Sequence, residues 1–151
     1  MTEQINEAKL NEEEFAILFL DLDNFKEYND RYGHQRGDEG LISFVLTIKE
    51  TLEEGDMLGR YGGDEFISLL PKTNIDRAKE VASNMLKSVR ENELLKGLTI
   101  SIGIGVFPYD GQDLVALVRY ADDACYLAKE KGGNRAECAS ERGKNNSHTK
   151  L

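Results

Sequence analysis

Nothing in this sequence is long and apolar enough to span a membrane, and its first residues do not form a signal peptide. Positive charge is scarce. The 151 residues carry 19 Lys and Arg against 28 Asp and Glu, a net charge of −9. That argues against a general binder of nucleic acids or of anionic membranes. It does not argue against an anionic substrate, because a bound divalent cation can reverse the local sign. The two cysteines, Cys125 and Cys138, lack metal-ligand spacing and read as buried thiols, as expected in a reducing cytoplasm. There is no internal repeat and no linker composition. What is present is an ordinary apolar share of 40%, enough for one domain with its own core.

The periodicities give the organisation. Residues 1–14 are polar and acidic and read as a flexible segment, or a short helix at best. Residues 15–22 are almost continuously apolar, as in a strand buried on both faces. A helix is predicted over 24–31, ended by Gly33, and a longer one over 38–53 with Leu41, Phe44, Val45, Ile48 and Leu52 on one side. Two short strands over 57–61 and 66–70 flank Gly62-Gly63, a dipeptide suited to the positive φ of a tight hairpin. A second amphipathic helix follows over 75–91. Residues 98–107 alternate Ile100, Ile102, Ile104 and Val106 with small residues; Gly103 and Gly105 leave room for a close neighbour. A third long helix spans 112–131, and 135–139 is a short edge strand. Residues 140–151 have little to bury and are expected to be disordered. Helices alternating with strands, plus one hairpin, predict a mixed α/β (α+β) sheet flanked by helices.

The chemistry concentrates at Arg60-Tyr61-Gly62-Gly63-Asp64-Glu65-Phe66. Two adjacent acids at a hairpin tip repel each other and make sense beside a cation. A second acidic pair, Asp21 and Asp23, closes the first apolar run. Two strands delivering carboxylates to a common point make a divalent-cation site, which can handle nucleotide phosphates. The competing reading of Asp21 is an acid placed near a helix N-terminus by the macrodipole.

The motifs go further. Asp21-Leu22-Asp23-Asn24-Phe25-Lys26, Asn29-Asp30, Tyr32-Gly33-His34, Gly37-Asp38 and the hairpin string follow one another in an order that strongly resembles the GGDEF domain of diguanylate cyclases. Ser101-Ile102-Gly103 and the run from Ala121 to Lys129 match its later motifs. The resemblance implies a palm-like, ferredoxin-related fold shared with nucleotide polymerases and nucleotidyl cyclases. It implies an enzyme that joins two GTP into cyclic di-GMP and releases two pyrophosphates, with two domains facing each other as a homodimer. The cofactor would be Mg2+ or Mn2+.

Residue by residue, the resemblance makes Asp21, Asp64 and Glu65 the catalytic acids. Asp21, the Leu22 carbonyl and Asp64 would hold the metal. Asn24 and Phe25 would cradle phosphates with backbone N–H groups, with Lys26 and Lys129 as phosphate cations. Asn29 and Asp38 match the guanine-reading pair, since a carboxylate can accept from guanine N1–H and N2–H. Asp38 is also read as a helix N-cap. Gly62 and Gly63 line the substrate site. His34 belongs to the same binding region and is read as structural rather than catalytic. Asp23 is read as a cap for the turn or helix that follows.

The chain also departs from the family pattern. Glu53 stands where the product-inhibition motif Arg-x-x-Asp has its arginine, so feedback at that site is expected to be absent. Gly133 stands where an arginine usually follows Lys129. The Asp-x-Leu-Thr segment that usually precedes the first strand is missing, and no sensory domain is expected in the chain. Two other functions therefore stay open: a degenerate GTP-binding regulatory module, and a minimal palm polymerase making another cyclic or linear oligonucleotide.

Overall fold

A computed structural model describes residues 2–138; the tail expected to be disordered, 140–151, lies outside them. In chain order the elements are α1 (Thr2–Asn11), β1 (Phe15–Asp23), α2 (Phe25–Tyr32), α3 (His34–Thr51), β2 (Met57–Arg60), β3 (Glu65–Leu70), α4 (Ile75–Glu91), β4 (Thr99–Phe107), α5 (Leu114–Glu130) and β5 (Arg135–Cys138). A 3₁₀ turn, Glu93–Leu95, not foreseen from the sequence, leads from α4 to β4.

The five strands form one sheet in the order β2-β3-β1-β4-β5. β1 is its middle strand and runs antiparallel to both β3 and β4. β5 lies parallel to β4 at the far edge. Burial on both faces explains the unbroken apolar run of β1. Ala16, Leu18, Leu20 and Leu22 join the cluster made with α3 and α4. Phe15, Ile17 and Phe19 join the cluster made with α1 and α5. Each of the Leu, Ile and Phe side chains among them contributes about 1.5–3 kcal/mol when fully buried. The alternation has a consequence for chemistry: continued past Phe19, the α5-side set ends in Asp21 and Asp23.

α5 lies almost on the backbone of β4. A Cβ on Gly103 would sit 1.8 Å from the Ala121 carbonyl oxygen and 2.4 Å from the Cys125 nitrogen. The expected close approach at this glycine is therefore present, and it draws the C-terminal end of α5 over the carboxylate end of β1.

Of the two readings of the N-terminal segment, the short helix is the one present, over Thr2–Asn11, and Ile5 and Ala8, both 5% exposed, join the cluster that holds Phe15 and Leu117. One apolar pair at i and i+3 suffices because the sheet supplies the rest of the contact. α3 begins at His34 rather than at 38, because Gly33 (φ +90°) turns the chain straight from one helix into the next. Asp38 therefore lies within α3 and is not its N-cap. Neither Gly62 nor Gly63 adopts positive φ. The strands end at Arg60 and Glu65, so the connection is the longer loop 61–64 rather than a two-residue primed turn.

Candidate active site

β1 and the β2–β3 loop bring the acids together. Asp21 stands opposite Glu65 in the β1–β3 register and opposite Ser101 in the β1–β4 register. The Leu22 N–H donates to the Asp64 carbonyl at 3.1 Å, lacing the loop onto the end of β1. Within the loop, the N–H groups of Tyr61 and Gly62 both donate to the Glu65 carbonyl, at 2.8 and 3.2 Å. Arg60 Nε donates to the Gly62 and Gly63 carbonyls at 3.0 and 3.1 Å. A Cβ at Gly62 would lie 2.6 Å from Glu65 Oε1, so a larger residue there would displace that carboxylate.

The charges are strained by this convergence. Burial pushes the Asp21 carboxyl up to about 6, Asp64 and Glu65 add to the rise, and Lys129 opposes it. Glu65 is also raised, by burial first and then by Asp122 and Asp64. Lys129 arrives from α5. Its Nζ lies 3.5 Å from Asp21 Oδ1, 3.3 Å from Asp23 Oδ1 and 3.4 Å from the Leu22 carbonyl. Burial pulls the ammonium pKa down, but Asp21 and Asp23 more than offset this and leave it raised.

Asp21, Asp64 and the Leu22 carbonyl are all oxygen donors, the type a hard cation takes. Among the described residues no group of three or more His, Cys, Asp or Glu side chains is placed to hold a metal ion. A hard cation bound through one or two carboxylates takes its remaining oxygens from water and substrate phosphates.

The helix starts add an anion-binding edge. Asn24 adopts left-handed backbone (φ 60°) at the N-cap of α2, and its side chain caps nothing. The first N–H groups of α2 are thus left for another acceptor. Lys26, exposed in that first turn, is placed against the helix dipole unless an anion is shared there. Phe25 is half-buried and packs on the core. Next to this edge, the Asn29 Oδ1 is buried without a hydrogen-bond partner. A Cβ at Gly37 would lie 1.7 Å from that oxygen, so glycine keeps the cradle open beside exposed Asp38. His34 is exposed at the first position of α3.

Asp23 does not cap α2, contrary to expectation. Its carboxylate accepts from Thr99 Oγ1 and Ser101 Oγ, both at 2.7 Å, and from the Asn134 N–H at 2.9 Å. Burial pushes this carboxyl up, but those hydrogen bonds and the Lys129 charge bring it below its ordinary value. The sequence did hold the signal, since residues 21 and 23 of one strand share a face. Asp122, whose charge raises Glu65, was also missed; it is seven residues before Lys129 and hence on the same face of α5.

The family profile described as diguanylate cyclase, GGDEF domain, matches residues 1–135. The chain belongs to the GGDEF domain family of diguanylate cyclases. It is 36% identical over 128 residues to diguanylate cyclase DgcM of Escherichia coli, covering 84% of this chain and 31% of that protein. It is 41% identical over 132 residues to the cyclic di-GMP phosphodiesterase PdeR of the same organism, covering 85% of this chain and 20% of that one. The solved GGDEF domain of TpbB (YfiN) from Pseudomonas aeruginosa superposes with a TM-score of 0.87 at 34% identity, covering 91% of this chain and 89% of that one. The predicted palm-like cyclase fold is thus the fold of this GGDEF domain. Diguanylate cyclases of this family are generally metal-dependent nucleotidyltransferases. The chain spans 20–37% of the length of the curated relatives it matches. No helix among the described residues is long and apolar enough to cross a membrane.

Proposed function

We propose that this GGDEF domain condenses two GTP into cyclic di-GMP. In each of two steps a ribose 3′-oxygen attacks the α-phosphorus of the other GTP. The bond from that phosphorus to the bridging oxygen breaks, pyrophosphate leaves, and the hydroxyl proton passes to solvent. Each domain holds one GTP, so closure of the ring needs a homodimer in which two sites face each other. The observation that carries this reading is that Asp21, at the end of β1, pairs with Lys129 and feels the charges of Asp64 and Glu65, next to the open start of α2.

The residues divide the work. Asp21, Asp64 and the Leu22 carbonyl would hold Mg2+ or Mn2+, with Glu65 assisting. That ion, when bound, neutralises phosphate charge and lowers the pKa of the attacking hydroxyl. Asn24 and Phe25 N–H groups take the β- and γ-phosphates, with Lys26 and Lys129 supplying positive charge. Asp38 accepts from guanine N1–H and N2–H. The Asn29 amide nitrogen donates to the acceptors on the remaining edge. Gly62 and Gly63 let the loop lie against the substrate. His34, at the first position of α3, borders the base. The substrate sets the compartment, the cytoplasm.

Feedback through the site around Asp56 is absent in this reading. Asp56 already accepts from the Glu53 N–H at 2.9 Å and from Arg77 at 3.1 Å, and Glu53 itself pairs with Arg77 at 3.2 Å. A product phosphate would meet carboxylates already engaged.

One observation favours a second reading, a GTP-holding module without turnover. Gly133 supplies no cation where the family has arginine, and its φ of +73° suits glycine. The deciding experiment incubates the protein with Mg2+ and each nucleoside triphosphate, singly and in pairs, with products read by mass spectrometry. Cyclic di-GMP from GTP alone, lost in Asp64→Ala, is the expected result. Bound GTP without product would establish the module. An adenine-containing product, or turnover surviving Asp64→Ala, would overturn the mechanism.

A further inference from the structure

We propose that Asp23 is a positioning residue that gives the Lys129 ammonium a second seat, to which it withdraws when a cation takes Asp21 and the Leu22 carbonyl. The inference rests on the cation and phosphate roles proposed above, and deepens them.

The Lys129 ammonium sits almost evenly among three oxygens. Its Nζ has three oxygen neighbours: Asp21 Oδ1 at 3.5 Å, the Leu22 carbonyl at 3.4 Å and Asp23 Oδ1 at 3.3 Å. The first two are proposed cation ligands, and only the third is not. An ammonium and a divalent cation would compete for the same two oxygens. Asp23 is what gives the ammonium somewhere else to rest.

Asp23 is built for that task. It is 8% exposed, on the α5 side of the sheet. Thr99 Oγ1 and the Asn134 N–H fix Oδ2, while Ser101 Oγ fixes Oδ1, the oxygen that also meets Lys129. A carboxylate gripped by three neutral donors cannot swing toward the cation site itself. Gly133 is part of the grip. A Cβ there would lie 2.9–3.1 Å from the Asp23 carboxylate atoms, so the glycine lets the turn after α5 come down and present the Asn134 N–H. The glycine that removes the family's arginine thus also tightens the seat of the remaining lysine.

The test measures Mn2+ affinity directly, by the electron paramagnetic resonance of free Mn2+. The protein carries a GTP analogue with a methylene in place of the α–β bridging oxygen, so no turnover enters the readout. Asp23→Asn is expected to weaken Mn2+ binding about 10-fold, in the range seen when an outer partner of a metal ligand is lost. In a Lys129→Gln background the same change is expected to have no effect, since no ammonium remains to compete. Thr99→Val, which weakens the grip but leaves the charge, is expected to lower the melting temperature while changing Mn2+ affinity by less than about 3-fold. Equal Mn2+ affinity in folded Asp23→Asn and the unchanged protein would overturn the proposal. So would an equal loss in both backgrounds, which would mark Asp23 as merely structural. If circular dichroism shows Asp23→Asn to be unfolded, Ser101→Ala decides, since it loosens the Asp23 oxygen that meets Lys129 without removing a proposed cation ligand or phosphate cation. A loss of Mn2+ affinity that disappears in the Lys129→Gln background supports the second seat, and an unchanged affinity would overturn it. No Mn2+ binding by the unchanged protein with the analogue would instead refute the underlying cation site.

Discussion

Replacing Asp21 by asparagine should make the protein more stable and inactive at once. The carboxyl is buried against Asp64 and Glu65, which raises it from 3.8 to about 6. That rise corresponds to about 3 kcal/mol of unfavourable charging in the folded state. The side chain is 19% exposed, and water and salt screen part of the repulsion, so about 1–2 kcal/mol is expected to survive. The sign follows from the direction of the rise. The favourable contribution of the protonated acid is fully present below its ordinary value near 4 and is lost as pH rises through about 6. Asparagine, which never ionises, keeps it. Urea unfolding followed by far-ultraviolet circular dichroism should therefore give equal stabilities at pH 4. At pH 7.5 the Asp21→Asn protein should be ahead by about 1–2 kcal/mol, or about 3–8 °C in Tm. Cyclic di-GMP formation should be lost in the same protein. A variant less stable than the parent at pH 7.5, or an advantage of the same size at both pH values, would refute the reasoning.

Two further outcomes are expected. Asn29→Ala should raise KM for GTP about 10-fold with little change in kcat, and ATP should become a better competitor, as read from initial rates; an unchanged KM would remove Asn29 from the base site. Added cyclic di-GMP should leave the initial rate unchanged up to concentrations far above the product formed. Inhibition that disappears in Asp56→Ala would show that the Glu53–Arg77–Asp56 cluster opens to product after all.

Much of the fold is legible without coordinates where a local period meets a simple burial rule. α4 runs from Ile75 to Glu91, the bounds that its apolar spacing predicts, because Asn74 accepts from the Arg77 N–H and starts it cleanly. β1 is recognisable because both of its faces are covered, and Gly103 because a helix must come close. The failures lie where the deciding contact is remote. Residues 2–11 have too little apolar surface to fold on their own account, yet Ile5 and Ala8 find a ready-made face. The start of α3 is set by Gly33 and by the room Gly37 leaves for Asn29, neither of which has a periodic signature.

The amino-acid order by itself determined which carboxylates exist, that two strands end in them, and that Gly62 and Gly63 lie between the second pair of strands. Those are statements about neighbours along the chain, where alternation and turn chemistry act. Only the tertiary structure decided which partner each carboxylate meets. Asp23 is seized by Thr99, Ser101 and Asn134, more than seventy residues away, while Asp21 is left between like charges and the Lys129 ammonium. The reason is that a side chain's protonation and hydrogen bonding depend on the field and donors across the sheet, and these exist only once β4 and α5 have closed over β1.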